Sequence, residues 1–116
     1  MSYLAFKEAM VLEPSQIASE LQDALGQKLV AYATGVRSPK LVGRWVTGTN
    51  FCDEAEKRLR ELYRVYYMLH QHEHGDGTIR AFLAGSNPDL QDQAPIEVIR
   101  EGHGVDAFRA AEAFIA

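Results

Sequence analysis

The stretch QKLVAYATGVRSPKLVGRWVTG, residues 27–48, holds two short helical patterns around a glycine turn. In the first, Leu29, Val30 and Ala33 recur at helical spacing and face inward, and Gly35 ends the pattern. Ser38-Pro39 opens the second. A serine side chain accepts from the orphan N–H groups of a first turn, and a proline at the first helical position has no N–H to lose. The second helix, over residues 39–46, stops at Gly48. Leu41, Val42, Trp45 and Val46 form its apolar stripe, while Pro39, Lys40, Gly43, Arg44 and Thr47 occupy the opposite side. Two short helices about a tight turn are the pattern of a helix-turn-helix. Lysine and arginine can neutralise phosphates or donate to guanine O6 and N7, and a glycine lets a helix approach closely. Lys28, Arg37, Ser38, Lys40, Gly43, Arg44 and Thr47 are therefore the candidate DNA contacts. The same spacing also fits a surface helix whose cations are simply solvated. Trp45, within the apolar stripe, reads as core rather than as a base-stacking platform.

Outward from this stretch the chain continues to read as helices. On the N-terminal side, Pro14-Ser15 opens a pattern with Ser15 as its cap, and Ile17, Ala18, Leu21, Ala24 and Leu25 recur until Gly26. Residues 1–13 are an N-terminal arm. On the C-terminal side, Asp53 caps a long helix running to about His70, with Ala55, Leu59, Leu62, Tyr66 and Leu69 as its buried stripe. Tyr63, Tyr66 and Tyr67 form a face that suits either the core or a dimer seam. His74-Gly75-Asp76-Gly77 is the clearest break and divides residues 14–74 from 75–116. Beyond it, helices are expected near residues 78–84, at 95–100, and from Val105 to the end. No strand alternation or repeat is visible, so the expected fold class is all-α.

With 116 residues and 47% hydrophobic content, the chain is one domain, or two small ones sharing a core. No apolar run approaches the roughly 20 residues that span a bilayer. No basic segment leads into an apolar one at the start, so no membrane association is expected and the expected compartment is the cytoplasm. The net charge of −4 is segregated. Residues 28–64 carry eight bases against four acids, whereas residues 65–116 carry three bases against eight acids. A basic middle suits an anionic partner, and the acidic end leaves a different surface for another.

Catalytic patterns are lacking. The lone Cys52 has no dedicated base nearby in sequence and cannot form an internal disulfide. His70 and His74 lie four apart on one helical face, as two zinc ligands could, but no cysteine lies near to join them. The segment is also a helix end, where the dipole favours histidine. No metal, no cofactor and no enzymatic activity are expected: phosphate-binding glycine loops, nucleophile elbows and Ser/His/Asp signatures are all missing.

Two strings resemble a family. Ser38-Pro39-Lys40-Leu41-Val42-Gly43-Arg44-Trp45-Val46-Thr47-Gly48 is similar to the S-P-x-x-V-x-R-W-x-x-G pattern of the recognition helix in Xre/MbcA/ParS antitoxins. Phe82-Leu83, Asn87-Pro88-Asp89-Leu90, Pro95-Ile96-Glu97-Val98-Ile99 and Gly102 resemble the W-L, N-P-x-L, P-x-x-L-L and glycine of their C-terminal module, in order and at matching spacing. The resemblance covers about residues 27–116. It departs at Phe82, where the family usually has tryptophan, and at Gln91-Asp92, where a glycine pair is common. Members often carry a tail beyond the last helix that enters the toxin cleft, whereas this sequence stops at Phe114-Ile115-Ala116.

The resemblance implies an Xre-like helix-turn-helix part followed by a small toxin-binding module. It implies an antitoxin of a type II system that neutralises a RES-domain toxin, an enzyme that degrades NAD, and that regulates its own promoter. The partners expected are that toxin, encoded by a neighbouring gene, and promoter DNA. The chain would act as a homodimer within a hetero-oligomeric complex, because one recognition helix reads only a half-site. Residues 14–74 would bind DNA and 75–116 the toxin, with Asn87, Pro88, Pro95, Gly102, Phe114, Ile115 and Ala116 as candidate toxin contacts. The alternatives are a stand-alone repressor and a protein-interaction module whose helix-turn-helix is degenerate.

Overall fold

The computed structural model describes residues 12–48 and 52–116. Most of the expected N-terminal arm, and the turn around Phe51, lie outside the described residues. Pro14 takes the first position of helix α1 (Pro14–Leu25), and the extended Glu13 precedes it as the cap residue. The N–H of Glu13 donates to Gln16 Oε1 at 3.0 Å. Ser15, expected as the cap, therefore sits inside the helix. A single residue, Gly26 at φ +87°, turns α1 into α2 (Gln27–Thr34), and that left-handed backbone is what glycine permits. Thr34 Oγ1 donates to the Val30 carbonyl at 2.8 Å, and Gly35, also left-handed, ends α2. After the turn at residues 35–38, Ser38 Oγ accepts from the Lys40 N–H and starts α3 (Pro39–Val46), as the sequence pattern predicts.

Helix α4 (Asp53–Gln71) is the central element. Its cap residue is Cys52 rather than Asp53, which becomes the first helical residue and joins Glu54 and Glu56 in the first turn. Negative charge there still suits the helix dipole. Then come α5 (Asp76–Ala84), a 3₁₀ turn (Pro88–Leu90), α6 (Pro95–Arg100) and α7 (Gly104–Ile115). There is no strand among the described residues, and the fold class is all-α.

Helix α3 packs on α1 and α2, which lean with α6 and α7 on α4. Leu21, Val30, Val42, Leu59 and Leu62 from the first part join Ile79, Leu83, Ile99 and Ala107 from the second in one apolar cluster. Each such buried aliphatic side chain contributes about 1.5–3 kcal/mol relative to an exposed one. The break at Gly75 is thus a turn within one core. Two arginines also bridge it: Arg80 Nη1 donates to the Ala24 carbonyl at 2.7 Å and Arg100 Nη1 to the Tyr32 carbonyl at 2.8 Å. Tyr63 and Tyr66 are buried and Tyr67 half-buried, which makes the tyrosine face part of this core. Leu29 is half-buried rather than fully inward. None of the described helices is long and apolar enough to cross a membrane.

Candidate functional site

Helix α3 is held from below and bare on top. Val42 and Trp45 are buried, with Leu41 and Val46 half-buried beside them. That anchoring turns Lys40, Arg44 and Thr47 outward, at spacings of four and three residues, and all three are exposed. Neither Lys40 nor Arg44 forms an ion pair with a described residue. Thr47 Oγ1 donates to the Arg44 carbonyl at 2.8 Å and closes the helix end. Arg37, exposed in the preceding turn, adds a third cation.

Two candidate DNA contacts have other roles. Ser38 Oγ is engaged as the helix cap. Gly43 faces the protein: a Cβ there would lie 3.1 Å from Gln27 Nε2, which itself donates to Gln22 Oε1 at 2.7 Å. Its missing side chain admits this glutamine pair beneath α3, a role in helix packing that the sequence did not suggest. Lys28 is exposed but lies along a groove of about 390 Å³ between α2 and α6, with Tyr32, Ile96 and Glu97.

Of the remaining basic residues of segment 28–64, Lys57 is exposed, whereas three arginines behave differently. Arg58 pairs with Glu54 at 3.3 Å, and Arg60 pairs with Glu56 at 3.2 Å while donating to the Leu12 carbonyl. Arg64 is influenced by Glu61; burial lowers its pKa and the carboxylate opposes that. Much of the positive charge counted along the sequence is thus consumed within α4.

In the C-terminal part, most candidate contacts are explained by local structure. Asn87 organises the loop ahead of α6. Its side chain accepts from the Asp89 N–H at 2.9 Å, and its carbonyl accepts from the Leu90 and Asp92 N–H groups. Pro88 opens the 3₁₀ turn and is exposed, whereas Pro95 opens α6 and is buried. Gly102, at φ +91°, turns α6 toward α7. Gln91 and Asp92 both adopt left-handed backbone, φ 56° and 66°, so a glycine-like conformation is kept without glycine. Phe114 is 47% exposed, with its ring 5.0 Å from Phe82 and 5.3 Å from His74. Ile115 packs against the core and Ala116 is exposed.

The histidines do not converge. His70 stacks on Tyr66 at 5.5 Å, while His74 lies against Phe114. The sequence reading missed a cleft of about 570 Å³ lined by Asp89, Glu101, His103, Asp106 and Arg109. It also missed Tyr32, which is 41% exposed beneath the Arg100 guanidinium at 4.6 Å. A third omission is Glu61, which is buried against Gly104. Glu61 stands four and seven residues before the buried Val65 and Met68, a helical spacing that marks it as inward-facing. Compared with known proteins, the chain matches no family model, no curated protein and no solved structure.

Proposed function

We propose that the chain is an antitoxin that binds its own promoter and neutralises a RES-domain, NAD-degrading toxin encoded beside it. The observation that carries the DNA-binding half is the outer face of α3. Lys40 and Arg44 stand exposed and without ionic partners among the described residues, on a helix fixed by Trp45 and Val42. Such cations are able to contact phosphates or guanine edges. Arg37 extends the cationic surface, and a homodimer would present two such helices to a near-palindromic site.

The toxin-binding half rests on the likeness of segment 82–102 to the C-terminal module of Xre/MbcA/ParS antitoxins. An exposed acidic cleft and a half-exposed Phe114 support it as a contact surface. Loop and turn chemistry accounts for Asn87, Pro95 and Gly102, so their share is to shape this surface. Direct contact falls to Pro88, Phe114, Ile115 and Ala116.

Co-expression with the product of an adjacent RES-domain reading frame, followed by sizing and a DNA-binding assay on the upstream region, tests both halves. A stable complex that binds this DNA is the expected result. DNA binding without complex formation would leave a stand-alone repressor; complex formation without DNA binding would leave an interaction module. Deleting residues 114–116 is the cleaner probe of the toxin surface. A truncation at Gly75 would remove Ile79, Leu83, Ile99 and Ala107 from the core and unfold the remainder.

A further inference from the structure

We propose that Glu61 is a charge-sensitive latch on the start of α7: the helix seats against the neutral carboxyl, and ionisation opens α7 locally. This inference is independent of the toxin and DNA assignments.

Three observations meet at this contact. Glu61 is only 6% exposed, the one charged side chain buried among the described residues. Its Oε1 has no hydrogen-bond partner among them. Gly104, the first residue of α7, lies so close that a Cβ there would stand 2.5 Å from Glu61 Cδ and 2.7 Å from Oε1. The backbone of α7 therefore rests directly on the carboxyl group. A buried carboxylate oxygen left without a hydrogen bond disfavours the ionised form and favours the neutral acid.

The surrounding charges do not cancel this. Arg64, Lys57 and Arg58 favour ionisation and Glu54 opposes it, and all four lie on α4 itself. Burial outweighs them and pushes the carboxyl pKa up. Several charges of the helices packed on α4 are engaged elsewhere. Glu20 of α1 and Asp76 of α5 act on Tyr66, and Arg80 of α5 is bonded to the Ala24 carbonyl. Lys28 of α2 and Glu97 of α6 line their own groove, while Arg100 of α6 covers Tyr32. From α7, Asp106 and Arg109 line the outer cleft with His103.

In the closed state Glu61 holds its proton to a higher pH than it does once α7 opens and water reaches it. Closing therefore takes up a proton, and it is strongest at low pH. As pH rises above the ordinary glutamate range, the opening constant grows by up to about tenfold per pH unit, until the closed-state pKa is passed. Opening would release Phe114 and Ile115, which α7 carries. His74, whose ring lies 5.3 Å from that of Phe114 on α7, provides the control substitution.

Amide exchange of the full chain between pH 5 and 8, corrected for intrinsic rates, tests the proposal. α7 peptides should open progressively as pH rises above the ordinary glutamate range, while α1 peptides should not. Glu61→Gln should flatten the α7 slope, and His74→Gln should leave it intact. An α7 slope absent from the wild type, shared with α1, kept in Glu61→Gln or lost in His74→Gln would each overturn the latch. If Glu61→Gln fails to fold, the comparison of α7 with α1 in the wild type and in His74→Gln still decides.

Discussion

The cations of α2 and α3 and those of α4 belong to one basic stretch in sequence, yet the fold treats them differently. Lys40 and Arg44 project from a helix whose underside is apolar, with no ion pair to a described residue. Arg58 and Arg60 stand one helical turn after Glu54 and Glu56 and are tied to them. Charge that is already paired contributes little to phosphate binding, because its counterion is part of the protein. The usable anion-binding surface is therefore smaller than the composition suggests. It is also concentrated on the one helix that an aromatic anchor holds in place.

The sharpest way to break this comparison is to remove the anchor. Trp45→Ala should lower stability by about 3–5 kcal/mol, the usual effect of emptying a buried aromatic site, and chemical denaturation would measure it. A loss below 1 kcal/mol would mean that α3 is not held by its underside. Next in size, Lys40→Ala and Arg44→Ala should each weaken DNA binding by about 1–3 kcal/mol if they reach base edges. If they touch only phosphates, each should lower the slope of log affinity against log salt by about one. Unchanged affinity and slope in both folded variants would remove α3 from the interface.

On the other side of the comparison, Arg60→Ala should reduce stability by about 0.5–1.5 kcal/mol through its lost partners, with DNA affinity unaltered. A drop in affinity matching that of Arg44→Ala would show that α4 also faces the anion. The smallest effect belongs to Gly43→Ala. Helix propensity favours alanine by about 1 kcal/mol, and crowding of Gln27 offsets part of it. Stability should change by less than about 1 kcal/mol and DNA affinity should hold. A large loss of affinity alone would restore Gly43 to the DNA side.

Much of the helical layout was legible because its signals are local. Ser38-Pro39 starts α3 through one side-chain hydrogen bond and a missing N–H, and Gly35 ends α2 through one left-handed residue. Where two local signals competed, the reading slipped. Ser15 and Asp53 are both good cap residues, but Pro14 puts Ser15 second in its helix and the extended backbone at Cys52 puts Asp53 first in its own. The divided charge was visible as composition, and the outward face of α3 as periodicity. Pairing was not, since it depends on which side chains meet.

The sequence by itself determined an all-α chain, the buried side of α3 and the position of its exposed cations, because periodicity and capping act within a few residues. Only the tertiary structure decided that both sides of Gly75 complete one core, since that requires α4 to pack on α6 and α7 across the fold. It likewise turned Gly43 toward Gln27 and set Gly104 against Glu61. A glycine's role depends on what occupies the space its side chain would fill, and that neighbour comes from a distant part of the chain.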